Sequence, residues 1–376
     1  MTIQTDKDKR VMTDGSELII ESLVQAGANA YVNYPITPAN WLNTFASKRF
    51  PFFMPAPDEI TTVQWLAGLA ATGKIPATAT SFPGYALMIE SINLAFMMEV
   101  PMVIVLVQRL GPSTGSATVG AEGDLMVLNG TISGGYQFPV LAISSFADCW
   151  TIPALAVKTA VNLRTPVVVL TSKEMIMTSR SFDLSTLEMI NPVTKNLYRG
   201  DHKYLPYEYG ENLVPAFLPV ANEKFQVRLN ASTHDKQGLI RKATPEAIGN
   251  TVRLRDKMEK NLAEYTVFSL DEDHNADTLL VSYGISSDSC RDALQQLRRK
   301  GKKVSMLILN TLIPIPPEIL EIMNRYKHVV VVEENLTGLL VRFLYGCNVP
   351  EGIRKVNAIA KMVTPSEIVK EVELCK

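Results

Sequence analysis

From residue 16 onward, apolar positions along the chain switch between a helical and a strand period. Asp14-Gly15-Ser16 leads into 17–26, where Ile19, Leu23 and Ala26 share one helical face. Ser16 is placed to cap this helix and Gly27 to end it in a left-handed turn. Residues 30–34 read as a short strand, stopped by Pro35-Ile36-Thr37-Pro38. Helices then fall at 60–72, 85–98 and 147–163, interleaved with apolar strands at 77–81, 102–107, 140–144 and 166–170. Short apolar strands separated by helical stretches predict βαβ units and a parallel sheet covered on both faces.

Between about 180 and 270 this rhythm breaks into Tyr-, Asn-, Pro- and Gly-rich sequence, closed by a charged helical stretch at 253–264. It resumes with strands at 278–283, 304–309 and 328–332 and helices at 288–300 and 317–326. The predicted class is therefore α/β with two units. A flexible start covers 1–11, the first unit 12–180, an irregular connection 181–272 and the second unit 273–376.

Composition narrows the function more than the fold. The 37 Lys and Arg nearly balance the 38 Asp and Glu, so no basic surplus points to a nucleic acid. The four cysteines, at 149, 290, 347 and 375, are scattered and form no C-x-x-C pair. That argues against a disulfide framework and against a zinc or iron–sulfur site held by this chain alone. Cys290 and Cys347 read as buried small hydrophobes. The polar first ten residues lack a signal-peptide core, and no apolar run approaches the ~18 residues that span a membrane. A cytoplasmic location is expected.

In an open α/β sheet, ligands bind beyond the carboxyl ends of the strands. Four segments lie there in the first unit: Tyr34–Pro38, Asp58-Glu59, Ser81-Phe82-Pro83-Gly84 and Gln108–Gly115. Arg109, directly after an apolar strand, can offer its guanidinium fork to a carboxylate or phosphate; the plainer alternative is a turn arginine paired with an internal acid. Glu59 opens an otherwise apolar helix, where a first-turn acid is also simply favoured by the dipole. Thr37, between two prolines, also fits an ordinary turn. His234 fits a loop hydrogen-bonding role, and Trp41, Trp65 and Trp150 fit core or interface anchors. No phosphate-binding Gly-rich loop, nucleophile elbow or dinucleotide fingerprint occurs.

In combination, Tyr34-Pro-Ile-Thr-Pro38, Asp58-Glu59-Ile60, Ala79-Thr-Ser-Phe-Pro-Gly84 and Gln108-Arg-Leu-Gly-Pro-Ser-Thr-Gly115 resemble the alpha subunit of 2-oxoacid:ferredoxin oxidoreductases. Val281-Ser-Tyr-Gly284 and Val331-Val-Glu-Glu-Asn335 extend the resemblance into the second unit. It implies a thiamine diphosphate pyrimidine-binding domain followed by a transketolase C-terminal-like α/β domain. It further implies oxidative decarboxylation of a 2-oxoacid with CoA to acyl-CoA and CO2, with electrons passing to ferredoxin. A beta subunit is implied to hold the diphosphate, Mg2+ and a 4Fe-4S cluster, with a gamma-type subunit as a further possible chain. Glu59 matches the residue that hydrogen-bonds the aminopyrimidine, and Pro35, Ile36, Ser81 and Phe82 match its other neighbours. Thr37 and Arg109 match substrate-binding positions, and Ser113 and Thr114 fall beside them.

The Gly-Pro-Ser-Thr-Gly loop favours the 2-oxoglutarate branch. Pyruvate, branched-chain or aromatic 2-oxoacids stay as alternatives, because Phe82 and Leu110 stand where relatives carry glycine. Glu122-Gly-Asp124 replaces the usual Gln-x-Asp, and Gly134-Gly-Tyr136 replaces His-Gly-Asp/Glu. These departures also leave open a diverged, non-catalytic partner subunit.

Overall fold

The structure, a computed structural model, describes residues 10–375. Most of the expected flexible start therefore lies outside the described residues. Arg10 and Val11 depart from that expectation. They belong to strand β1 (Arg10–Thr13), which pairs antiparallel with β8 (Arg180–Asp183).

The first helix, α1 (Gly15–Gln25), is capped by Asp14, whose side chain accepts from the Glu17 amide at 3.1 Å. Ser16 is two residues too late to cap it, and its hydroxyl donates instead to the Ile176 carbonyl at 2.9 Å. Gly27 takes the expected positive φ of 107°. After it come β2 (Ala30–Asn33), α2 (Asn40–Arg49), β3 (Phe53–Pro55), α3 (Glu59–Ala71), β4 (Pro76–Thr80), α4 (Phe82–Met98) and β5 (Met102–Gln108). Strands β6 (Val140–Ala142) and β7 (Pro166–Ser172) follow, joined by helix Asp148–Leu163. Every residue of β5 and β7 is buried, which is why both read as unbroken apolar runs rather than alternating ones.

The 181–272 connection is less irregular than its sequence suggests. It holds β8, helix Pro245–Lys260 and β9 (Phe268–Asp271). The helix starts eight residues before the expected 253, because Thr244 accepts from the Ala247 amide and Pro245 occupies the first turn. The second unit contributes β10 (Thr278–Tyr283), β11 (Val304–Leu309), β12 (Thr311–Ile313), β13 (His328–Glu333) and β14 (Ile353–Asn357).

Two larger sheets result. The first runs β12-β6-β7-β5-β4-β2-β3 and is parallel except for β12, which comes from the second unit and lies antiparallel to β6. The second runs β14-β13-β10-β11-β9, with β9 antiparallel. One core joins Ile104, Leu106 and Val168 of the first sheet to Val281, Leu307 and Val331 of the second, so the two units share a single apolar interior. Among the described residues no helix is long and apolar enough to cross a membrane. Cys290 is buried as expected. Cys347 is exposed, because it follows the short helix Leu339–Tyr345 into a surface turn rather than packing inward.

Candidate active site at the carboxyl edge of the first sheet

Strand order explains how four distant segments meet. In the order β3-β2-β4-β5, the loops after these parallel strands deliver Glu59, Thr37, Ser81 and Arg109 to one edge of the sheet. Asp58 caps α3, its side chain accepting from the Thr61 amide at 2.7 Å, which fixes Glu59 as the first helical residue. Glu59 is only 7% exposed, yet its carboxyl receives no hydrogen bond from the described residues. A first-turn acid kept merely for the helix dipole would stand in water. Without a partner among the described residues, this carboxyl is open to a ligand. Gly84 of α4 allows the approach: a Cβ there would stand 2.8 Å from Glu59 Oε1 and overlap Thr80 Oγ1.

Arg109 is buried and donates from Nη1 to the Thr37 carbonyl at 2.5 Å, which ties the loop after β5 to the loop after β2. Its Nε has no partner, and neither does Ser81 Oγ at the start of α4. Asp124 lies near the guanidinium. Burial pushes the Asp124 carboxyl up to about 7 although Arg109 pulls it down, and its Oδ2 is also unpartnered. Burial likewise lowers the Arg109 pKa, against the pull of Asp124, but a guanidinium keeps its charge throughout.

The loop after Arg109 closes on itself. The Leu110 amide donates to Val119 O at 2.7 Å, and the Ser116 amide to Leu110 O at 3.0 Å. Gly115 sits at φ 49°, where any Cβ would collide with Leu110 O, so the Gly-rich spelling of this loop is dictated by its closure. Ser113 and Thr114 are exposed at its tip, and Pro35 is exposed as well. Ile36 and Thr37 are half-buried. Phe82, in the first turn of α4, lies between the Glu59 edge and a cavity of 350 Å³.

That cavity reaches the second unit. Arg109, Leu110 and Asp124 line one side, and Leu336, Leu339 and Ile359 line the other. Asn335 holds the second-unit loop by accepting from the Gly338 amide at 2.8 Å and donating to Glu122 O at 3.2 Å. Glu122 is fully buried and joins the units, accepting from Ser286 Oγ at 2.6 Å and the Glu334 amide at 2.9 Å. Burial, reinforced by the charge of Glu334, pushes its carboxyl up to about 8.

Two contributors escaped the sequence reading. Asp124 was visible only as the end of an altered motif, and the Leu336, Leu339 and Ile359 wall carries no motif signal. His234 has the modest role expected: it is buried, with Nδ1 2.6 Å from Ser232 O and Nε2 2.9 Å from Asn250 Nδ2. Trp150 is a core anchor whose Nε1 donates to Glu188 O at 2.8 Å. Trp41 and Trp65 stay partly exposed, on α2 and α3. Among the described residues no group of three or more His, Cys, Asp or Glu is placed to hold a metal ion.

Comparison with known proteins bears on this edge. Residues 21–253 match the profile of "Pyruvate flavodoxin/ferredoxin oxidoreductase, thiamine diP-bdg", and residues 276–365 match "Pyruvate:ferredoxin oxidoreductase core domain II". The 2-oxoglutarate synthase subunit KorA of Methanocaldococcus jannaschii is 30% identical over 95% of this chain and 98% of its own length. A solved 2-oxoglutarate:ferredoxin oxidoreductase from Magnetococcus marinus, with 2-oxoglutarate, coenzyme A and succinyl-CoA bound, superposes with a TM-score of 0.89 at 26% identity. It covers 98% of this chain, which spans 66% of that one. A split-gene transketolase, in an inactive beta4 tetramer, shares the fold with a TM-score of 0.57 at 15% identity.

Proposed function

Since the chain belongs to the pyruvate flavodoxin/ferredoxin oxidoreductase family, we propose that its carboxyl edge is the pyrimidine side of a shared thiamine diphosphate site. The reaction is oxidative decarboxylation of a 2-oxoacid, with CoA accepting the acyl group and ferredoxin the electrons. The observation that carries this reading is Glu59: a buried carboxyl, unpartnered within the chain, facing a glycine that clears its approach. The unpartnered Ser81 hydroxyl beside it fits the same group.

Thiamine diphosphate, when bound, supplies a carbon nucleophile for the 2-oxo carbon and a sink for the electrons that CO2 leaves behind. The chain's own residues do the rest. Glu59 holds a proton at the pyrimidine ring nitrogen, and burial keeps that exchange away from water. Pro35, Ile36, Ser81 and Phe82 border the ring. Arg109, oriented by the Thr37 carbonyl, pairs with the substrate carboxylate through its free guanidinium edge, and the Thr37 hydroxyl addresses the oxo oxygen. Ser113 and Thr114, exposed at the loop tip, are placed to meet substrate only when a partner covers the loop.

The partner is a beta subunit holding the diphosphate, Mg2+ and a 4Fe-4S cluster, with a gamma-type subunit as a possible third member. Exposed Trp41, Ile60, Trp65 and Leu87 on the three helices around the site support such a cover. Four free cysteines fit a reducing, cytoplasmic setting. Relatives are named for 2-oxoglutarate, and the substrate of this chain is a 2-oxoacid whose side chain its own cavity selects. The test is Glu59→Ala in the assembled complex: dye reduction with CoA and a 2-oxoacid should fall by about 10²–10⁴. Near-normal turnover would sink the assignment.

A further inference from the structure

The cavity beside Arg109 has a charge balance that bears on substrate choice, given the reading above that Arg109 takes the substrate carboxylate. Its charged wall residues are one cation, Arg109, and one acid, Asp124. Toward the second unit the wall is apolar at Phe82, Leu110, Leu336, Leu339 and Ile359, and polar but uncharged at Asn335 and Thr337. Lys355 comes near, but its ammonium donates to the Thr337 carbonyl at 3.3 Å and does not form part of the wall. Phe82, two residues before the Gly84 that abuts Glu59, and Arg109 are the residues of the carboxyl edge that line the cavity. At 350 Å³ it falls within the range of small-molecule sites.

We propose that this cavity is the side-chain subsite of the substrate, and that it selects a 2-oxoacid with a branched or aromatic apolar side chain over a dicarboxylic one. A monocarboxylic 2-oxoacid spends its single charge on Arg109 and buries its tail against Leu336, Leu339 and Ile359. A dicarboxylic one brings a second carboxylate to a wall with no second cation. Burying a charge unpaired costs far more than apolar contact returns. Leu336, 71% exposed on the chain alone, is the residue whose identity sets the balance at the mouth.

The test uses the assembled complex with thiamine diphosphate, CoA and a viologen dye. The kcat/KM for 3-methyl-2-oxobutanoate should exceed that for 2-oxoglutarate at least tenfold, about 1.4 kcal/mol of discrimination. Calorimetric titration without CoA should rank the two acids in the same order. Leu336→Arg supplies the missing cation and should move the ratio toward 2-oxoglutarate by tenfold or more, with an unchanged melting temperature. A wild-type preference for 2-oxoglutarate, or a ratio indifferent to Leu336→Arg, overturns the subsite and leaves the proposed reaction standing. Failure to turn over any 2-oxoacid, in a complex that binds its cofactor, overturns the reaction and this subsite with it.

Discussion

Glu59 and Glu99 are both buried, both stand at helix ends and lie at opposite edges of the same sheet, yet their surroundings have nothing in common. Glu99 closes α4 in a left-handed conformation at φ 53°, where the helix dipole disfavours an acid. It is held there by cations. Arg253 Nη1 donates at 3.1 Å and Lys257 Nζ at 2.7 Å, both to Oε2, and Arg253 Nη2 bonds Oε1. Burial alone would raise its pKa, but Lys257 and Arg253 outweigh that and hold it down at about 2. Glu59, at the favoured end of its helix, has no such company. At the amino edge a buried carboxyl is fully satisfied by its own chain and serves stability. At the carboxyl edge the same side chain has no partner among the described residues.

Substitutions should separate the two. Glu59→Ala is expected to show the largest effect, the 10²–10⁴ loss of turnover in the complex, while its urea midpoint stays that of the parent. Glu99→Gln should do the reverse: it strands Arg253 and Lys257 without their counter-charge, costing roughly 3–5 kcal/mol in urea unfolding. If Glu99→Gln unfolded like the parent, the ion cluster would be decorative. Arg109→Lys keeps the charge but loses the fork. A rise in KM for the 2-oxoacid of about tenfold, with the melting temperature unmoved, is expected.

A further expectation concerns pH. The folded pKa values of Glu122 and Glu334, about 8 and 7, lie above the ordinary 4.5. Between those values the unfolded chain binds fewer protons, so these groups make stability fall as pH rises from 4.5 to about 8. Glu99 has the opposite sign, losing stability as pH drops from 4.5 toward 2. Urea midpoints between pH 5.5 and 8.5 should decline, and Glu122→Gln should flatten that decline.

Much of the scaffold was readable in advance. Three of the five second-unit strands fall at 278–283, 304–309 and 328–333, within one residue of their expected bounds, because short runs buried on both faces need no partner to be recognised, whereas β12 and β14 were not expected. Glu59 and Arg109 were legible as the residues that follow strands. Harder to see were features fixed by contact at a distance. Helix α2 carries few apolar residues and left no periodic mark. Arg253 and Lys257 look like a solvated charged face, yet both are buried because Glu99, more than 150 positions away in sequence, draws them inward. The apolar wall at Leu336 is a property of two units brought together, which no local pattern encodes.

Strand β12 has a consequence for how such chains can be divided. It hydrogen-bonds to β6 of the first sheet, with Ala142 donating to Asn310 O at 2.6 Å, although it belongs to the sequence of the second unit. A gene cut near residue 272 would leave one product with a bare sheet edge and half an apolar interior, a template for aggregation. The two units therefore share one interior and one sheet edge.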